Sequence, residues 1–170
     1  YIGLVLVAMS GCILTVNAQQ SFSYKNPLLP TELRVNDLLG RMTLEEKIAQ
    51  IRHLHSWDVF DGQILNQEKL DKMCGGIGYG FFEGFPLTAA SCRKTFREIQ
   101  TYMVEKTRLG IPGFPVAESL HGVVHEGTTI YPQNIAMGST FNPELAYEKT
   151  KHIAGELNTL GVKQVLAPCI

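Results

Sequence analysis

Two sharply punctuated helices, each followed closely by a short apolar run, constrain this 170-residue chain more than any other feature. Asn142-Pro143-Glu144 reads as a helix start: Asn can cap, Pro fits the first helical position, and Glu favours the positive end. That helix carries Leu145, Ile153, Leu157 and Leu160 and stops at Gly161, after which Lys163–Pro168 reads as a strand. Thr88 likewise opens a helix predicted to run to about Arg108, with Cys92, Phe96, Ile99 and Met103 on its inner face. Gly110 ends it where left-handed backbone is wanted, and Phe114-Pro115-Val116-Ala117 is the next strand. Ahead of both, Cys74-Gly75-Gly76-Ile77-Gly78-Tyr79-Gly80-Phe81-Phe82 reads as a short buried strand entering a loop. Strand, helix, strand, loop, helix, strand is the order of an α/β unit with parallel strands.

The amino-terminal part differs. Residues 1–24 contain no charged side chain, and apolar Ile2–Val7 and Ile13–Val16 end in Val16-Asn17-Ala18. Small or β-branched residues before the break suit signal peptidase, so 1–18 is expected to be a signal peptide and 19–170 the folded part. The apolar core falls short of the ~20 residues of a membrane span, and Ser10-Gly11-Cys12 leaves lipid attachment through Cys12 as an alternative. The expected location is therefore exported, periplasmic or secreted. Lys25-Asn26-Pro27-Leu28-Leu29-Pro30 is an extended lead-in. Val35, Leu38, Leu39 and Met42 then recur on one helix face, ending near Gly40-Arg41-Met42. Thr43-Leu44-Glu45-Glu46 is a capping box that starts a second helix, expected to turn Leu44, Ile48 and Ile51 inward. Residues 53–73 carry no clear pattern.

Composition excludes whole classes of partner. Fifteen basic against sixteen acidic residues give a net charge of −1 with no basic run longer than two residues, so nothing grips nucleic acid electrostatically. Without Cys12 the cysteines are Cys74, Cys92 and Cys169, widely spaced and odd in number, which suits buried free thiols. The glycine run at 75–80 matches neither dinucleotide nor phosphate-loop spacing, and close backbone packing at a strand explains it better. No cofactor is implied.

In parallel α/β units the functional residues gather after the carboxyl ends of strands, which selects 78–86 and, more richly, 118–133. His121 and His125 are four apart, but Gly122 stands where a zinc protease needs Glu. Ser119 and His121 lack the strand-turn-helix elbow of a nucleophilic serine. Glu118 is the stronger candidate: a carboxylate at a strand's end can accept hydrogen bonds from two sugar hydroxyls. A salt bridge or helix cap is its plain alternative.

Arg34-Val35-Asn36-Asp37-Leu38-Leu39-Gly40-Arg41-Met42-Thr43-Leu44-Glu45-Glu46-Lys47-Ile48-Ala49-Gln50 closely resembles the opening of glycoside hydrolase family 3 enzymes, the exo-acting β-glucosidases and β-xylosidases. The resemblance continues through Arg108–Pro112, Glu118-Ser119-Leu120-His121-Gly122, Thr129–Gln133, Ser139–Leu145, Leu160–Val162 and Val165–Pro168, in order. It implies an α/β fold, the N-terminal portion of a (β/α)8 TIM-type barrel, incomplete at about three strands because such a barrel needs ~250 residues.

The resemblance also implies retaining hydrolysis of terminal β-linked sugars, one carboxylate attacking the anomeric carbon and another serving as acid then base. The family's nucleophile, an aspartate on a late strand, and its acid/base fall beyond residue 170. No catalytic residue is therefore assigned in this chain, which alone should be inactive. Glu118 matches the acidic residue that binds hydroxyls of the terminal sugar, and His121 is carried over with it as a substrate-binding residue that chiefly shapes the loop. Glucosidases often have Asp where Glu118 stands, so glucose and xylose both remain open. The expected partner is an oligosaccharide or β-glycoside, the rival being a non-catalytic carbohydrate-binding or interaction module.

Overall fold

The computed structural model of the chain describes residues 23–84 and 88–168. The expected signal peptide at 1–18, with Cys12, and the third thiol, Cys169, lie outside the described residues. The chain forms two compact units, divided between Arg41 and Met42.

The first unit holds a 3-10 turn, Ser23–Lys25, and helix α1, Thr31–Arg41. Asp37 ties them together. Its carboxylate accepts the Tyr24 N–H at 3.0 Å and Arg41 Nε at 2.9 Å, while Arg34 Nε donates to the Tyr24 carbonyl at 2.9 Å. The helix ends where its sequence punctuation places it, but no α1 residue is buried; Val35 and Leu39 stay exposed.

In the second unit α2, Leu44–Ala49, starts with the expected capping box: Thr43 Oγ1 accepts the Glu46 N–H at 3.3 Å and Glu46 Oε2 accepts the Thr43 N–H at 2.8 Å. Its inward face differs from the periodicity. Leu44, Ile48 and Ile51 are 67, 45 and 76% exposed, whereas Glu46 and Ala49 are buried. Glu46 is drawn inward because Oε1 accepts Arg108 Nε at 2.7 Å, a contact spanning 62 residues that no local pattern encodes.

Residues 53–73 contain strand β1 (His53–His55), a one-turn helix α3 (Ser56–Val59), hairpin strands β2 (Phe60–Asp61) and β3 (Ile64–Leu65), and α4 (Gln67–Cys74). Gly75 caps α4 in the left-handed conformation (φ 53°). The stretch expected to be a strand from Cys74 is thus a helix end and turn, and β4 occupies only Phe81–Glu83. The expected close packing is real at Gly80, where an added Cβ would stand 1.8 Å from the Gln50 carbonyl oxygen. Thr88 caps α5, Ala89–Lys106, which buries Cys92, Phe96, Ile99 and Met103. The helix stops at Lys106, four residues before Gly110, and is followed by Thr107, whose hydroxyl donates to the Met103 carbonyl and accepts the Gly110 N–H. After β5 (Phe114–Glu118) and α6 (Asn134–Gly138) comes α7, Pro143–Leu160. Asn142 caps it and left-handed Gly161 (φ 91°) ends it; Leu145 is exposed, while Ile153, Leu157 and Leu160 are buried. Strand β6 is Gln164–Leu166.

The sheet order is β1-β4-β5-β6, every pairing parallel. Each new parallel strand lies beside the last with no reversal, the winding of a barrel rather than of a doubly wound sheet. The fold is an arc of a (β/α)8-type barrel. The arc has four strands instead of about three, because β1 is too short and polar to stand out in sequence. Phe82 packs edge-on against Phe96 of α5 (5.5 Å between centroids), so that face looks toward the helices. His53, Phe81 and Phe114, in register on β1, β4 and β5, stack with one another on the opposite face. Along each strand the period of two then sends His55, Glu83, Val116, Glu118, Gln164 and Leu166 to the concave side.

Candidate functional site

His55, Glu83, Glu118 and Leu166 are the last residues of β1, β4, β5 and β6. All four line one cavity of about 350 Å³, together with Trp57, Gly84, Val116 and His125. The four strand ends thus converge as βα loops do in a barrel, whose active sites lie at the carboxyl face. The walls combine apolar carbon with a few polar groups, the usual make-up of a small-ligand pocket.

Glu118 stands at the end of β5, paired in register with Leu166. Among the described residues its carboxylate forms neither a salt bridge nor a cap hydrogen bond. Glu83, one strand away, sits differently. Its Oε1 lies 3.1 Å from His53 Nδ1 and 3.3 Å from His55 Nδ1. Both nitrogens are buried and off the hydrogen-bond axis, so these are close polar contacts rather than aligned bonds. His55 in turn stacks on Trp57, with ring centroids 4.3 Å apart and planes inclined by 7°.

The loop after β5 crosses the cavity's edge. Gly122 (φ 124°) lets the backbone close on itself, since a Cβ there would lie 2.4 Å from the Thr129 carbonyl oxygen. His121 belongs to this closure: Nδ1 is 2.9 Å from the Tyr131 carbonyl oxygen, and the Tyr131 N–H donates to the His121 carbonyl at 2.8 Å. Its ring lines a separate cavity with Leu120, Gln133 and Asn134. The structure therefore does not bring Glu118 and His121 into one pocket. Ser119 Oγ is buried without a partner among the described residues, so no Ser119–His121 dyad is assembled. His125 reaches the Glu118 cavity instead, and burial holds its imidazole below the usual range. Among the described residues no three His, Cys, Asp or Glu side chains group to hold a metal ion, and no helix is long and apolar enough to cross a membrane.

His55, Trp57 and Glu83 carry no motif. The available signal is the alternation His53-Leu54-His55, in which a buried Leu separates two inward polar residues. Such a three-residue strand is too short for periodicity to reveal.

Comparison with known proteins places this geometry. The model of the "Glycosyl hydrolase family 3 N terminal domain" matches residues 43–170. A Formosa agariphila protein, provisionally named a β-xylosidase, is 30% identical over 154 residues, 88% of this chain and 20% of that one. The periplasmic β-glucosidase of Salmonella typhimurium is 26% identical over 166 residues, 96% of this chain and 20% of that one. The solved structure of a β-glucosidase from Erythrobacter marinus superposes with a TM-score of 0.71 at 26% identity, over 88% of this chain and 20% of that one. The chain thus spans about a fifth of the length of these relatives.

Proposed function

This chain belongs to glycosyl hydrolase family 3, and on that premise we propose that it forms the opening arc of the barrel of an exported, exo-acting, retaining β-glycosidase. The observation that carries the reading is the convergence of four strand-terminal residues on one cavity, with the Glu118 carboxylate, unpaired among the described residues, in its wall. A free carboxylate facing a pocket is an acceptor for the paired hydroxyls of a terminal sugar. The two reacting carboxylates, nucleophile and acid/base, belong to parts of the complete enzyme beyond residue 170. Glu118 holds the sugar and does not attack it.

Terminal β-linked glucose is the proposed leading substrate and xylose the alternative. His121 serves by locking the 121–131 loop through Tyr131. Export rests on the uncharged stretch ending at Ala18 and agrees with the location in the Salmonella relative's name.

The test is a panel of aryl-β-glycosides on the complete enzyme, with Glu118→Ala and Glu118→Gln. Losing a charged acceptor for two hydroxyls removes about 3–4 kcal/mol of transition-state binding, so Glu118→Ala should lower kcat/KM by about 10²–10³-fold on the preferred sugar. Glu118→Gln should fall between. A complete enzyme that binds glycosides without turnover would be the non-catalytic module, and a Glu118→Ala variant within threefold of wild type would make Glu118 structural.

A further inference from the structure

Trp57 is the one tryptophan of the chain, and its position is unusual for so large an apolar ring. It is 69% exposed, yet it is held in place. One indole face lies flat on His55. The six-membered ring passes over the backbone of left-handed Gly84, where a Cβ would come within 3.6 Å of it. The helical turn bearing it is pinned on both sides: Ser56 Oγ donates to the Gly84 carbonyl, and the Asn66 N–H donates to the Val59 carbonyl at 2.8 Å. Val59 itself is fully buried. An exposed ring that is stacked on a neighbour and lines a cavity is the arrangement expected of a binding surface. The described hydrophobic core, which includes Leu54 and Val59, does not count it among its members.

The chemistry of the cavity says what the exposed ring receives. A pyranose has a rim of hydroxyls and two faces of C–H bonds. A carboxylate takes the rim, and an aromatic plane takes a C–H face through dispersion and hydrophobic contact. Glu118 and Trp57 line the same cavity. Its volume of about 350 Å³ has room for a sugar ring. We propose that Trp57 is a sugar-ring platform of this site, pre-set by its stack on His55, and that it contributes to affinity for the substrate without taking part in bond cleavage. The inference rests on the glycosidase reading for its ligand class. Because the ring is already immobilised, little side-chain freedom is lost on binding.

The experiment uses the complete enzyme with Trp57→Phe, Trp57→Leu and Trp57→Ala. KM and kcat are measured on aryl-β-glucoside and aryl-β-xyloside, and glucose and xylose are titrated calorimetrically. Thermal midpoints are recorded for every variant. The expected result is a rise in KM of about tenfold for Trp57→Leu and Trp57→Ala, a much smaller change in kcat, and parallel weakening of monosaccharide binding. Trp57→Phe keeps an aromatic face and should stay within about threefold of wild type. Leucine supplies apolar bulk without a plane, so equal KM values for Trp57→Leu and wild type would overturn the platform. A loss confined to thermal midpoint or kcat, with monosaccharide affinity intact, would overturn it as well and make Trp57 a packing residue. If the wild type turns over no glycoside but binds glucose or xylose through Trp57, the glycosidase reading fails and the platform stands.

Discussion

Replacing Gly80 with alanine should destabilise the barrel arc severely, whereas the same replacement at Gly155 should stabilise it. At Gly80 the new Cβ would stand 1.8 Å from the Gln50 carbonyl oxygen, 2.5 Å from its carbon and 2.9 Å from its Cα. All three atoms are backbone, so no side chain can swing aside. Ordinary contact needs about 3.5 Å, so β4 and the segment after α2 would have to part by roughly 1.5 Å. Two hydrogen bonds span that gap, Gly80 N–H to the Ala49 carbonyl at 3.0 Å and Phe81 N–H to the Arg52 carbonyl at 3.2 Å. Leaving those groups unmatched and overpacking the junction together cost about 3–5 kcal/mol. Gly155 lies inside α7 with nothing within 4 Å of its Cβ position and without positive φ. Alanine there gains about 0.5–1 kcal/mol from reduced unfolded-chain freedom and helix preference. Thermal unfolding of the complete enzyme should thus show Gly80→Ala lower by roughly 8–15 °C and Gly155→Ala higher by a few degrees. Because β4 ends in Glu83 at the cavity, Gly80→Ala should also lose activity below its melting point. Equal midpoints for the two variants, or a Gly80→Ala shift under about 2 °C, would refute the close-approach reasoning.

Two further outcomes are expected. The hydrogen bond from Arg108 holds the Glu46 carboxyl below its usual value of 4.5. A depressed carboxylate stabilises the fold above that value and ceases to as pH falls through its folded pKa. The stability gap between wild type and Glu46→Gln should therefore be full at pH 7 and shrink below about pH 4.5; a gap independent of pH would remove the ion pair from the account. Burial pushes the Cys74 thiol up to about 12 and the Cys92 thiol up to about 11. Peptide-resolved alkylation of the native enzyme at pH 8 should leave both unlabelled, with labelling only after denaturation; rapid native labelling would contradict their burial.

Much of the architecture was legible because helix ends are local chemistry. The capping box at Thr43 and Glu46, the caps at Thr88 and Asn142, and the left-handed stop at Gly161 each involve residues within a turn of one another. Glu118 was legible for a similar reason, as a carboxylate at the end of a recognisable strand within a family-like motif. The glycine run misled because Gly75 and Gly78 serve a helix end and a turn, and only Gly80 serves the strand. The buried face of α2 departs from its periodicity because Arg108, far along the chain, decides which side of that short helix is buried.

By itself, the sequence determined an alternating α/β chain, the starts of α2, α5 and α7, the stop of α7, its family resemblance and Glu118 as the residue to watch. Those follow from short-range hydrogen bonding, side-chain period and motif order. Tertiary structure alone decided that β1 exists and that His55, Glu83, Glu118 and Leu166 end at one cavity. It also decided that His121 turns away to Tyr131 and that Trp57 lies flat on His55. Each of these depends on strand register between segments tens of residues apart. Register is set when whole faces pack together, which no local run of residues records.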